Sequence, residues 1–274
     1  MATFKHREMD IAYERQGEGE NFVFMHGLGA DRRQTLSALS GLSGVRLICL
    51  DMPGHGETAG GDFPYSFSAF ADVAIALLDT LSIDAAIFGG ISMGAGISLQ
   101  VALRAPQRVK GLVLVRPAWL NDVRPPNLGI IETLGLWIEN EGLATAEAKL
   151  GQDVSYQHEL KSNPACAASI AGLLTRPQAR ESCKVLSALV QDAPFGHMQD
   201  LEKVNQPAIV IGNDGDPLHP ADLAQTLAQQ LPHGHYRHVA SRYLETEQHH
   251  RDLNQAVQQF LDQQKLTPTL TNAL

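Results

Sequence analysis

The pentapeptide Gly90-Ile91-Ser92-Met93-Gly94 carries the pattern in this chain with the most chemistry in it. A serine with glycine two residues to either side suits a sharp bend between a strand and the helix it feeds, with the hydroxyl pushed clear as a nucleophile. Glycine is needed there because a Cβ at either position would keep the two backbones apart. A plain helix cap in a glycine loop shows the same letters, so the surroundings decide. A serine nucleophile needs an imidazole to take its proton and a carboxylate to hold that imidazole. Candidates for both lie downstream of Ser92, among Asp214, Asp216, His219, His249 and His250.

The elements around the pentapeptide have the required types. Ala85 to Phe88 is a short apolar run stopped by Gly89 and Gly90, and small and apolar residues recur at helical spacing from Ser92 to Pro106. That predicts strand, tight turn, helix. Further strands are expected at Phe22 to Met25, Val45 to Leu50, Val109 to Val115, Pro207 to Ile211 and Tyr236 to Ala240, with an antiparallel edge pair within Phe4 to Arg15. Helices are expected from a cap at Asp31, over Phe67 to Leu81 and Ala221 to Leu231, and from about Gln248 to Gln263.

With a strand running in, a helix running out and the partners downstream, the chain resembles the α/β-hydrolase superfamily from about Phe4 to about Gln263. The resemblance implies an α/β fold: a mostly parallel eight-stranded sheet flanked by helices, with a helical cap inserted after the sixth strand. The segment from Pro117 to Asp200 fits such a cap, since its pattern is helical, broken by prolines and free of strand-like runs. The expected division is a core of residues 1–116 and 201–266, a cap of 117–200 and a loosely held tail of 267–274. Trp119, Leu120, Leu128, Ile131, Leu134, Trp137 and Ile138 in the cap could line a pocket, although apolar residues at helical spacing mostly pack as core.

The resemblance also assigns roles. His26-Gly27-Leu28-Gly29 would supply one oxyanion donor through the backbone N–H of Leu28, and the N–H of Met93 would supply the other. Asp51-Met52-Pro53-Gly54-His55-Gly56 resembles the superfamily's D-x-P-G-x-G turn and is read as structural, with Asp51 tying the loop and His55 facing solvent. Asp216, directly before Pro217, is the expected acid, with Asp214 as the alternative. His219 follows that acid closely and is set behind the later histidines. Many superfamily members carry Gly-His just after the last strand, whereas this chain has Ser241-Arg242. It looks instead like a branch whose histidine opens the final helix. His249 stands four residues before Leu253 and shares its buried face, while His250 is turned by about 100°. His249 is therefore the expected base and His250 the alternative.

Composition narrows the rest. The 274 residues carry a net charge of -9, which disfavours nucleic acid and anionic membranes as partners. Cys49, Cys166 and Cys183 are scattered, without disulfide or metal-ligand spacing, so no metal and no cofactor is expected. No secretory signal is visible and no apolar run approaches the roughly 20 residues of a membrane span, which points to the cytoplasm. The expected activity is a serine hydrolase (carboxylesterase-like) acting on a small-molecule carboxylic ester or lactone through Ser92, His249 and Asp216. Alternatives are a carbon–carbon bond hydrolase, a haloperoxidase-like activity, or a non-catalytic small-molecule receptor. A cap of this length could also contribute to a homodimer.

Overall fold

The computed structural model describes residues 1–266, so the tail expected over 267–274 lies outside the described residues. Its strands are β1 (Ala2–His6), β2 (Met9–Gln16), β3 (Glu20–Met25), β4 (Val45–Leu50), β5 (Ala86–Ile91), β6 (Val109–Val115), β7 (Ala208–Gly212) and β8 (Gly234–His238). They form one eight-stranded sheet in the order β1-β2-β4-β3-β5-β6-β7-β8. The β1–β2 and β2–β4 pairs are antiparallel, and every pairing from β4 across to β8 is parallel. The mostly parallel α/β sheet expected from the sequence is the one observed.

Parallel strands need crossover helices, and covering both faces makes the inner strands read as continuous apolar runs. In chain order the helices are α1 (Arg32–Ala38), α2 (Phe67–Thr80), α3 (Met93–Arg104), α4 (Gly129–Glu141), α5 (Leu143–Leu150), α6 (Val154–Ser162), α7 (Pro164–Ala171), α8 (Lys184–Val190), α9 (Ala221–Gln230) and α10 (Thr246–Gln263). Phe88 of β5 packs on one face with Phe67 and Leu77 of α2, Ile97 of α3 and Leu227 of α9. Its neighbour Ile87 packs on the other face with Ala38 of α1 and Leu253 and Val257 of α10. Alternate residues of β5 thus anchor two separate cores, which fixes its register.

Between β6 and β7 the described chain is helical, from a short 3-10 turn at Pro126–Leu128 through α8 to another at Met198–Lys203. Local capping explains where its helices begin. The Asp153 side chain accepts the Tyr156 N–H at 2.9 Å, and Asn163 accepts the Cys166 N–H at 3.2 Å with Pro164 in the first turn. Leu134 and Ile138 of α4 are fully buried, as the core reading of that stripe requires.

The Asp51 turn is the structural device expected. Its carboxylate accepts the backbone N–H groups of Arg32 at 2.7 Å and Glu57 at 2.8 Å, and pairs with the Arg32 guanidinium. The expectation for His55 needs correcting. Its ring is buried rather than facing solvent, 4.8 Å from the His26 ring and packed beside Phe70. Burial holds both imidazoles below the ordinary histidine range, so both pack as neutral rings.

Candidate active site

Strand β5 runs straight into Ser92, whose backbone sits at φ 56°, ψ -108°, and α3 begins at the next residue. A non-glycine residue there is strained, by about 1–3 kcal/mol, and needs its surroundings to hold it. The Ser92 N–H donates to the Val115 carbonyl at 2.9 Å, which pins the bend to the end of β6. Glycine at 90 is obligatory for packing. A Cβ there would stand 2.5 Å from the Gly94 carbonyl carbon and 2.6 Å from the Met25 oxygen, and a Cβ at Gly94 would drive into the same Met25 carbonyl.

The loop after β3 comes alongside. Gly27 lies where an added Cβ would stand 3.6 Å from the Ser92 Cβ, and its N–H donates to the Gln34 side chain at 2.9 Å. His26 orders the same loop as a neutral ring, with Nδ1 donating to the Gly27 carbonyl at 2.8 Å and Nε2 accepting the Met52 N–H at 3.1 Å. Leu28 borders the cavity that Ser92 opens into. Met93 is the first residue of α3, where an N–H has no acceptor within the helix. Leu28 thus lines the same cavity as Ser92, and Met93 follows Ser92 directly in the chain.

The cavity has a volume of about 280 Å³. The ends of the strands supply its polar wall and the inserted helices its apolar one, including Trp119, Leu128, Ile131, Ile170 and Leu173. Three residues of the cap stripe that sequence placed mainly in the core, Trp119, Leu128 and Ile131, thus also face this space. The insertion ties down the loop after β7 as well. Asn163 donates to the Gly215 carbonyl at 2.8 Å, and Asn127 donates to the carbonyls of Leu218 at 2.8 Å and Ala118 at 3.1 Å.

Asp216 sits at the head of that loop, buried, but the expected pairing with His249 is not formed. Its carboxylate is 3.0 Å from the Nδ1 of His219 through either oxygen, and accepts from the Arg116 guanidinium at 3.0 Å. Burial pushes the Asp216 carboxyl up, yet His219 and Arg116 outweigh it and hold the group well below the usual carboxylate range. His219 is buried and lines the cavity with Ser92. Burial lowers its pKa, Asp216 pulls it back, and Arg116 and Arg242 push it down again, for a net value below the ordinary one.

His249 has a different employment. It lies on the buried face of α10, as its spacing from Leu253 predicts, and its Nδ1 donates to the Ala240 carbonyl at 2.8 Å. Asp252, one turn on, accepts the Ala240 N–H at 3.1 Å, so the two side chains hold both backbone polar groups of one residue just after β8. Burial, with Arg116 and Arg242 nearby, takes the His249 pKa down to about 4. His250 is exposed, and so is Asp214, whose neighbour is the exposed His238 at 3.6 Å. Neither alternative borders the cavity.

Arg116 and Arg242 are functional candidates that sequence reasoning passed over. Arg116 closes β6 with φ 47°, another strained non-glycine bend, and is 3% exposed. Arg242 stands where Gly-His was missed, its guanidinium 5.1 Å from the Tyr243 ring centre. The signal for both was present, as an arginine directly after an apolar strand and another in place of an expected histidine. Among the described residues no three His, Cys, Asp or Glu side chains are placed to share a metal ion.

A family model for the alpha/beta hydrolase fold matches residues 20–245. The chain belongs to that family. As a member it is 29% identical over 271 residues, 93% of this chain and 92% of the relative, to the 2-hydroxy-6-oxononadienedioate/2-hydroxy-6-oxononatrienedioate hydrolase of Paraburkholderia phymatum. A 126-residue stretch, 44% of this chain, is 33% identical to the dihydrolipoyllysine-residue acetyltransferase component of the acetoin cleaving system of Cupriavidus necator, and spans 34% of that protein. Among solved structures, the enol-lactonase from Burkholderia xenovorans LB400 matches this hydrolase-fold chain with a TM-score of 0.74 over 95% of this chain and 99% of that one. Their identity of 19% makes that a likeness of fold.

Proposed function

We propose that this alpha/beta hydrolase cleaves a small-molecule carboxylic ester or lactone through an acyl-enzyme on Ser92. The observation that carries the reading is Ser92, strained at the head of α3, sharing one cavity with a histidine whose other nitrogen rests on a buried carboxylate. In this reading His219, in place of the His249 that the sequence favoured, is the general base. With Nδ1 occupied by Asp216, Nε2 is the nitrogen left to take the Ser92 proton as the hydroxyl attacks the acyl carbon. Asp216 fixes the tautomer and offsets the imidazolium charge. The backbone N–H groups of Leu28 and Met93 meet the oxygen that gains negative charge, each such donor being worth about 3 kcal/mol of barrier.

The alcohol leaves with the proton from His219, and a water activated by the same ring releases the acid. The Ser92 hydroxyl makes no hydrogen bond to His219 here, which suits a base whose contact tightens only with substrate in place. A relative named as a hydrolase and a structural neighbour named as an enol-lactonase support a hydrolytic reading of this fold.

A panel of esters and lactones of graded size, run on wild type and Ser92→Ala, tests the proposal. Wild type should turn over at least one class and be labelled covalently by a fluorophosphonate, with both lost in Ser92→Ala. A folded wild type that neither turns over nor labels would make the cavity a receptor site instead.

A further inference from the structure

The cavity beside Ser92 has an unbalanced charge. Arg116 and Arg242 both line it, and no Asp or Glu does among the described residues. Asp216 lies behind Arg116 and engages one of its terminal nitrogens, while the Arg116 Nε is buried without an acceptor. The Arg242 guanidinium has no carboxylate within ion-pair reach among the described residues and only the Tyr243 ring against it. Two guanidinium charges against one carboxylate leave one positive charge at the cavity wall.

Arginine is almost never fully buried unless it is paired, and an uncompensated charge in a low-dielectric site is costly. Arg116 feels that cost, since burial and then the repulsion from Arg242 lower its affinity for its own proton. Arg242 is half-exposed and has no carboxylate of its own among the described residues, so an anion entering between the two guanidinium groups would screen their repulsion on Arg116. The space is small, and Trp119, Leu128 and Ile131 line it together with the two arginines, so the anion must sit on a short carbon skeleton.

Resting on the ester hydrolase reading above, we infer that the substrate carries a free carboxylate, and that Arg116 and Arg242 hold it while Ser92 attacks an ester or lactone carbonyl elsewhere on the same short chain. A planar carboxylate matches the fork of a guanidinium, and its single charge matches the single excess charge of the wall better than a dianionic phosphate does. Arg242 thereby occupies the position where relatives with Gly-His would place an imidazole, and Asp216 finds its histidine within its own loop.

The test compares the mono-p-nitrophenyl ester of glutaric acid with the p-nitrophenyl ester of hexanoic acid. Arg242 is the residue to vary, because loss of Arg116 would also strand Asp216. Wild type should prefer the acidic ester in kcat/KM by at least about tenfold, carried mainly in KM. Arg242→Gln should erase most of that preference and Arg242→Lys should restore part of it. A wild type without the preference, or an Arg242→Gln variant that keeps it, overturns the inference.

Calorimetric titration of glutarate into Ser92→Ala separates this inference from the hydrolase reading, since binding needs no turnover. Glutarate that binds Ser92→Ala and binds about tenfold more weakly when Arg242→Gln is added upholds the anion site even if no ester is cleaved. Inorganic phosphate binding in its place, with glutarate ignored, would overturn the carboxylate assignment.

Discussion

At the scale of single residues, the proposed chemistry turns on the partners of Asp216. Its oxygens are taken by Arg116 and His219, so the histidine that it can orient lies three residues away in one turn of chain. The spacing of Asp216-Pro217-Leu218-His219 was visible, but a contact within one loop reads as turn chemistry, whereas the expected histidine belongs to a distant helix. Sequence spacing does not show that the Nδ1 of His249 is already spent on the Ala240 carbonyl. A consequence follows for pH. In the proposed mechanism His219 must be neutral to accept the Ser92 proton, and burial holds its pKa below the ordinary value of 6.5. The log of kcat/KM should therefore be level above about pH 7 and fall as the pH drops through a midpoint below 6.5. A midpoint above 7 would contradict His219 as the base.

At the scale of elements, the strand-turn-helix from β5 to α3 was the most legible part of the chain, because each of its requirements is local. Gly90 and Gly94 are dictated by the backbone approach of β3 and α3, and the helix by its run of small residues. Gly90→Ala tests this directly. The atoms that the new methyl would strike, the Gly94 carbonyl carbon and the Met25 oxygen, belong to backbone and cannot swing aside. The substitution should cost about 3 kcal/mol or more in urea unfolding, at the upper end for overpacking. A loss under about 1 kcal/mol would show that the elbow is looser than described. The exit of β8 was less legible. Its missing Gly-His was plain in the sequence, but the clamp of His249 and Asp252 on Ala240, which sets the loop bearing Arg242, needs the packing of α10 on the sheet.

The molecule as a whole divides the labour between the sheet and the helices inserted after β6. The C-terminal ends of β5, β6 and β7 deliver Ser92, Arg116 and the Asp216–His219 loop to one side of the sheet, where doubly covered parallel sheets place their ligands. The inserted helices close that side with apolar residues, and Asn127 and Asn163 couple them to the acid loop. The sheet and the all-helical insertion could be read from apolar runs and proline breaks, since periodicity reports burial. The face of the insertion that meets the cavity could not, because Trp119, Leu128 and Ile131 satisfy the core pattern and the cavity pattern equally.

The central claim is that Ser92 is activated by His219 held on Asp216. The rate constant for fluorophosphonate labelling of Ser92 reports that activation without reference to any substrate. His219→Ala should slow labelling by about a hundredfold or more, in line with the usual worth of a positioned base. His249→Ala should leave labelling within about tenfold of wild type once its folding is checked by a thermal melt. Near-normal labelling of His219→Ala, with labelling lost in a folded His249→Ala, would contradict the account.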